Sequence, residues 1–315
     1  MQLTSAQINI SWFCDFHANP KTSCEYCWVT MAHSDRSRQL DHTAEEWLQA
    51  IRANLPETAL IDFVGGEPTI FPKFHWLLSE LAKTHRWSVT SNMGADRWKL
   101  YCEQPIPNCV SWTASFHHTT KDSPDEFAAK CLITSRHYPL QVNLVEFPTY
   151  DAHQRAKQFD EWKLKVCVSP FEDVRDLNVA GKVPLTCNGG MAHVLLDPEG
   201  NIYKCLTQER RADRPRWRLG NLFRGNIQWP TTRSVCFIPC DQYRTLDRRH
   251  STTDMWNLDV RPLEIPNCVD LEPYRQTFEV PSSPLKDFIQ LSQWDGQIVK
   301  QARGDLLDSS SEAVH

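Results

Sequence analysis

The chain has 315 residues, with 34 lysines and arginines against 39 acids and a formal charge of −5. That balance leaves no basic face of the kind a nucleic-acid binder carries. The length suits one large domain or two ordinary ones and is enough to bury a full core.

The N-terminus, MQLTSAQINISWF, has neither a basic n-region nor an apolar h-region, and no window reaches 18 apolar residues. The expectation is a cytoplasmic protein without a membrane span. Its 12 cysteines then need a reason, because disulfides are rare in a reducing compartment and clustered thiols there point to metal or catalysis. The basic stretch RRADRPRWR (210–218) reads as a solvated loop.

In chain order, AQINISWFC is a predicted strand ending at Cys14. TAEEWLQAIRANL (43–55) is a predicted helix with Thr43 as N-cap and acids in its first turn. ALIDFVGGEP (59–68) is an apolar strand running into a Gly-Gly loop. FPKFHWLLSELAKTH is a helix with Pro72 near its start, and WSVTSNMG (87–94) is a strand and turn. CVSWTASFHH (109–118) is a strand, SPDEFAAKCLITSRH (123–137) a capped helix, and LQVNLVEFP (140–148) a strand. AHQRAKQFDEWK is a helix and LKVCVSPFED (164–173) a strand.

Six apolar strands alternating with amphipathic helices predict a parallel sheet under a layer of helices. Six are too few for a closed eight-stranded barrel, so the expected fold is α/β, an open partial (β/α)6 TIM-like barrel. Sites in such folds lie at the C-terminal ends of strands. The three cysteines, GGEP, TSNMG and SFHH all follow a strand directly.

After residue 175 the texture changes. TCNGGMAHVLLDPEGNIYKC (186–205) reads as two β-like runs joined by the turn DPEGN. The end of the chain, GDLLDSSSEAVH, is polar.

Cys14, Cys24 and Cys27 have the spacing C-x9-C-x2-C. Three thiolates suit a [4Fe–4S] cluster with one iron left open. A zinc site wants four ligands, and His17 is available as a fourth. Spacing alone leaves both readings open.

The thiols followed by Gly65-Gly66-Glu67-Pro68 resemble the radical S-adenosylmethionine superfamily, whose members have three cysteines after strand 1, an aromatic before the last one, and a GGE loop after strand 2. Tyr26 stands before Cys27 here. The resemblance covers about the first 175 residues. The first gap is six residues longer than the family's commonest C-x3-C-x2-C, and a few branches, one of them tRNA-modifying, share the longer spacing. The resemblance implies a [4Fe–4S] cluster on Cys14, Cys24 and Cys27. It implies reductive cleavage of S-adenosyl-L-methionine to a 5′-deoxyadenosyl radical, which abstracts hydrogen from a substrate. It also implies that Gly65, Gly66 and Glu67 hold the methionine ammonium, with Asn92 at the ribose, Ser115 at the carboxylate or ribose, and the Tyr26 backbone near the adenine. His117 and His118, at the same mouth, are candidates for substrate contact or acid–base work.

Cys187, then Gly200 and Cys205, then Cys236 and Cys240, resemble the auxiliary-cluster extensions of that superfamily, the SPASM and shorter twitch domains. With Cys268 the one later cysteine, the shorter form fits better: a second [4Fe–4S] cluster on Cys187, Cys205, Cys236 and Cys240. Four thiolates also suit zinc. Cys102, Cys109, Cys131 and Cys167 read as small buried hydrophobes.

The expected organisation is a barrel over 1–175, a small β-hairpin-containing Fe–S domain over 176–275, and a C-terminal helix and tail over 276–315. The expected function is oxidation or cross-linking of a small molecule or peptide, with a flavodoxin- or ferredoxin-type reductant. The alternatives are a ribosomal-peptide maturase working with a separate recognition protein, a tRNA-modifying enzyme, and a non-enzymatic zinc-binding protein.

Overall fold

A computed structural model describes residues 3–18, 24, 27, 42–94, 96–119, 122–146, 150–169, 185–204, 218–231, 234–236 and 260–262. Six strands, β1 (Ser5–Asn9), β2 (Leu60–Val64), β3 (Arg86–Ser91), β4 (Cys109–Phe116), β5 (Leu140–Val145) and β6 (Val166–Ser169), pair in parallel in sequence order. Among the described residues five helices lie in the connections between them: α1 (Ala44–Asn54), α2 (Phe74–Leu81), α3 (Arg97–Glu103), α4 (Pro124–Thr134) and α5 (Ala152–Glu161). Parallel crossovers are right-handed, so a strand order that always advances in one direction keeps every helix on one face. This is the connectivity of a partial (β/α)6 barrel.

Two helix starts follow from sequence directly. Thr43 and Glu46 form a capping box on α1, and Ser123 and Glu126 form one on α4 with Pro124 at its first position. Helix α2 starts later than its sequence suggests. Lys73, not Pro72, is its N-cap, in the left-handed region at φ 57°. Helix α3 has no counterpart among the predicted elements.

Period-2 alternation sorts the strands into two unlike faces. Ala6 and Ile8, Ile61 and Phe63, Trp87 and Val89, Trp112 and Ala114, and Val142 and Leu144 pack under the helices in one core. Helices contribute Trp47 and Ile51, Leu77 and Leu81, Tyr101, and Phe127 and Phe159 to it. Tyr101 and Trp112 meet edge to face at 5.1 Å. The opposite face carries Ser5, Gln7, Asn9, Asp62, Ser88, Thr113, Ser115 and Gln141, all of them buried polar residues.

Three strands from beyond residue 175 extend the same sheet from its β1 edge. They are β8 (His193–Leu196), β9 (Asn201–Tyr203) and β10 (Arg218–Asn221), giving the order β10-β9-β8-β1-β2-β3-β4-β5-β6. Strand β8 runs parallel to β1, with Ser5 opposite His193. The β8–β9 hairpin turns at DPEGN as its sequence predicts. Asp197 Oδ1 accepts the backbone N–H groups of Glu199 and Asn201 at 3.1 and 2.9 Å. Phe223, just past β10, packs on Trp47 of α1 at 4.8 Å, and Asn54 Nδ2 donates to Leu222 O at 3.0 Å. A separate three-stranded antiparallel sheet pairs β7 (Leu185–Cys187) with β11 (Ser234–Cys236) and β12 (Val260–Pro262). Among the described residues no helix is long and apolar enough to cross a membrane.

Candidate cofactor site at the barrel mouth

The loops after β1, β2 and β3 are tied to one another at the C-terminal ends of their strands. Ser11 Oγ accepts the Phe13 N–H at 2.9 Å and turns the chain after β1. The GGEP loop then lies against that turn. Gly66 N–H donates to Ser11 O at 2.7 Å and Glu67 N–H to Phe13 O at 2.9 Å. A Cβ at Gly66 would stand 2.0 Å from Phe13 O, and one at Gly65, at φ +129°, would stand 2.5 Å from Ser11 O. Both glycines are required by this backbone-on-backbone approach.

Glu67 is 1 % exposed and joins β2 to β3. Its Oε1 accepts Thr69 N–H (3.1 Å), Thr69 Oγ1–H (2.6 Å) and Ser91 Oγ–H (2.9 Å). Its Oε2 accepts Asn92 N–H at 2.6 Å. Burial raises the Glu67 carboxyl above its ordinary range, against the opposing pull of these donors.

Cys14 sits beside this carboxylate. It forms a small buried cluster with Phe16 and Cys24, against which Cys27, Val145 and Tyr150 pack. Cys27 N–H donates to Cys24 O at 3.1 Å, which folds the two thiols of the C-x2-C pair into one turn. Burial pushes the Cys14 thiol far up, and the charge of Glu67 adds to it, with smaller contributions from Asp15 and Cys27. A thiolate at Cys14 therefore needs a cation to balance it. Among the described residues no three His, Cys, Asp or Glu side chains close around a single ion. In an iron–sulfur cluster each thiolate binds its own iron, and three cysteines gathered in one buried cluster fit that group.

Asn92 completes the constellation. Its Nδ2 donates to Asp15 Oδ1 at 2.9 Å and to Cys14 Sγ at 3.6 Å, while its Oδ1 accepts Gly94 N–H at 2.7 Å. Cys14, Cys24, Cys27, Gly65, Gly66, Glu67 and Asn92 are thus brought together. Ser115 lies on the polar face of β4, opposite Asn143 in register. His117 meets Phe16 edge to face at 5.8 Å, and His118 stacks on Tyr150 at 5.0 Å. Both histidines border the cysteine cluster through these rings.

Tyr26, Cys205, Cys240, Cys268 and residues 276–315 lie outside the described residues. Cys187 and Cys236 are described as backbone positions on adjacent antiparallel strands, Cys187 opposite Ser234 and Cys236 opposite Leu185. Of the four thiols read from sequence as small buried hydrophobes, Cys131 and Cys167 are buried, whereas Cys102 and Cys109 are only partly buried against the core.

Sequence reasoning missed the polar inner face. Gln7 Nε2 and Ser88 Oγ both donate to Asp62, at 3.0 and 2.6 Å. Gln141 Nε2 donates to Thr113 Oγ1 at 3.1 Å, and Ser169 Oγ to Asn143 Oδ1 at 2.7 Å. Asn9 Nδ2 is buried on this face with no hydrogen-bond partner among the described residues. The signal was present as polar residues at period 2 inside otherwise apolar strands.

No protein-family model matches the chain, and a comparison with curated proteins gives no match. Among solved structures the chain is similar to BtrN in complex with AdoMet and 2-DOIA, with 11 % identity and a TM-score of 0.42, over 70 % of this chain and 79 % of that one. It is also similar to native anSMEcpe with bound AdoMet, with 15 % identity and a TM-score of 0.48, over 70 % of this chain and 78 % of that one. At these values the likenesses assign no chemistry to this chain.

Proposed function

We propose that the chain is a radical S-adenosylmethionine enzyme, with a [4Fe–4S] cluster on Cys14, Cys24 and Cys27 and the methionine end of S-adenosylmethionine against the GGEP loop. One observation carries the reading. The thiol loop and the GGEP loop are hydrogen-bonded to each other through Gly66–Ser11 and Glu67–Phe13 at the mouth of a singly wound sheet. When bound, cluster and S-adenosylmethionine supply reductive C–S cleavage and hydrogen abstraction from a substrate.

The protein's own part is to hold and shield. Gly65 and Gly66 let backbone approach closely, and Glu67 fixes the loop while spending its carboxylate on β3. The buried thiol cluster keeps Cys14 and Cys24 from water. The polar inner face suits a substrate that presents hydroxyl, carbonyl or amide groups, as small polar molecules and peptides both do. Ser115, on that face, and His117 and His118, at its rim, are the side chains we place nearest to bound cofactor or substrate.

A second, auxiliary [4Fe–4S] cluster on Cys187, Cys205, Cys236 and Cys240 belongs to the same proposal. The pairing of β7 with β11 supports it, since it sets Cys187 and Cys236 on neighbouring strands. A flavodoxin- or ferredoxin-type donor would supply electrons.

Iron and labile sulfide, measured on anaerobically reconstituted protein, test this reading. The wild type is expected to lose part of both in Cys14→Ala/Cys24→Ala/Cys27→Ala protein and a further part on adding Cys187→Ala and Cys205→Ala. Stoichiometric zinc without labile sulfide would overturn it in favour of a zinc-binding protein.

A further inference from the structure

Asn92 has one side-chain acceptor and two side-chain donor hydrogens. The acceptor is occupied by Gly94 N–H at 2.7 Å. One hydrogen goes to Asp15 Oδ1 at 2.9 Å, and the other is directed at Cys14 Sγ at 3.6 Å. The orientation is fixed chemically. A flipped amide would set its oxygen against the Asp15 carboxylate and its NH2 against Gly94 N–H. Its backbone N–H is held by Glu67, and the residue is 6 % exposed. The backbone N–H, the amide NH2 and the amide oxygen of Asn92 thus each have a partner within the protein.

We propose that Asn92 is a positioning residue for Cys14, donating an N–H···S hydrogen bond to a cluster-ligating sulfur and thereby raising the reduction potential of that cluster. The proposal rests on the cluster reading given above. A hydrogen bond to a cluster sulfur stabilises the more negative, reduced state, and a nearby carboxylate opposes it. Asn92 and Asp15 are thus an opposed pair at one ligand. Asp15 accepts from both Asn92 and the Cys14 thiol, the latter at 3.7 Å.

The test is an EPR-monitored redox titration of the reconstituted full chain without S-adenosylmethionine. The relevant signal is the one absent from Cys24→Ala/Cys27→Ala protein. Asn92→Ala keeps the backbone bond to Glu67 and removes the donor. Its one-electron reduction equilibrium is expected to become about three- to tenfold less favourable, a fall in potential of roughly 30–60 mV at 59 mV per decade. Asp15→Asn, at a half-buried position that keeps its acceptor oxygen, is expected to shift the potential upward. Opposite shifts at unchanged iron content support the proposal. Unmoved potentials in both variants, with a normal cluster signal, overturn this inference alone. A wild type with no cluster signal overturns the cluster reading and this inference with it.

Discussion

The backbone N–H of Asn92 donates to Glu67 Oε2 at 2.6 Å, so the loop after β2 and the loop after β3 are held by one carboxylate. Three further donors from Thr69 and Ser91 saturate the other oxygen. Glutamine at this position turns one acceptor into a donor that faces donors. Glu67→Gln is expected to cost on the order of 1–3 kcal/mol, read as a lower urea midpoint at unchanged m-value. An unchanged midpoint would mean that the carboxylate does not clamp the loops.

Gly66 and Gly94 offer a contrast in what a single methyl meets. At Gly66 the obstacle is backbone, Phe13 O at 2.0 Å. At Gly94 it is the side chains of Asn92, Asp15 and Phe16, at 2.8 to 3.0 Å. Side chains can yield where backbone cannot. Gly66→Ala is expected to lose roughly 3 kcal/mol or more, and Gly94→Ala roughly 1 kcal/mol. Thermal melts of the two variants check the order.

Two neighbours on the polar face are expected to respond in opposite ways. Asp62 holds Gln7 and Ser88, so Asp62→Leu strands both partners in a buried place and costs about 1–3 kcal/mol. Asn9 Nδ2 has no partner among the described residues, so Asn9→Leu is expected to leave stability unchanged or slightly higher. Equal losses in the two variants would show that the Asn9 amide is satisfied in solution.

Acid should loosen the β8–β1 edge. Burial pushes His193 from 6.5 down to about 3, and its Nδ1 lies 3.0 Å from Ser5 Oγ. The folded value lies below the unfolded one, so unfolding takes up a proton between them. The stability contributed by the neutral ring is complete above pH 6.5 and is lost as pH falls toward 3. The slope is about 1.4 kcal/mol per pH unit inside that window. Urea midpoints at pH 7 and pH 5.5 should differ more for the wild type than for His193→Gln.

What the sequence revealed and concealed follows from the range of each interaction. The helices α1 and α4 were legible because Thr43/Glu46 and Ser123/Glu126 are local signals, three residues apart. The three thiols and the GGEP loop were legible because strand ends in a parallel sheet share one side. Helix α3 was missed because it is seven residues long and its N-cap, Asp96, makes no side-chain cap bond. Trp98 and Tyr101, spaced i to i+3, were its available trace. The pairing of β8 with β1 spans 188 residues from Ser5 to His193, and nothing local in either strand announces it. The engagement of the Glu67 and Asn92 side chains depends on the approach of β2 to β3, which motif spacing does not describe.

The most direct measurement is chromatography for 5′-deoxyadenosine after anaerobic reconstitution, dithionite and S-adenosylmethionine, run beside Cys24→Ala/Cys27→Ala protein. The account predicts product from the wild type and none from the variant. Absence of product from wild-type protein carrying full iron and sulfide would contradict it.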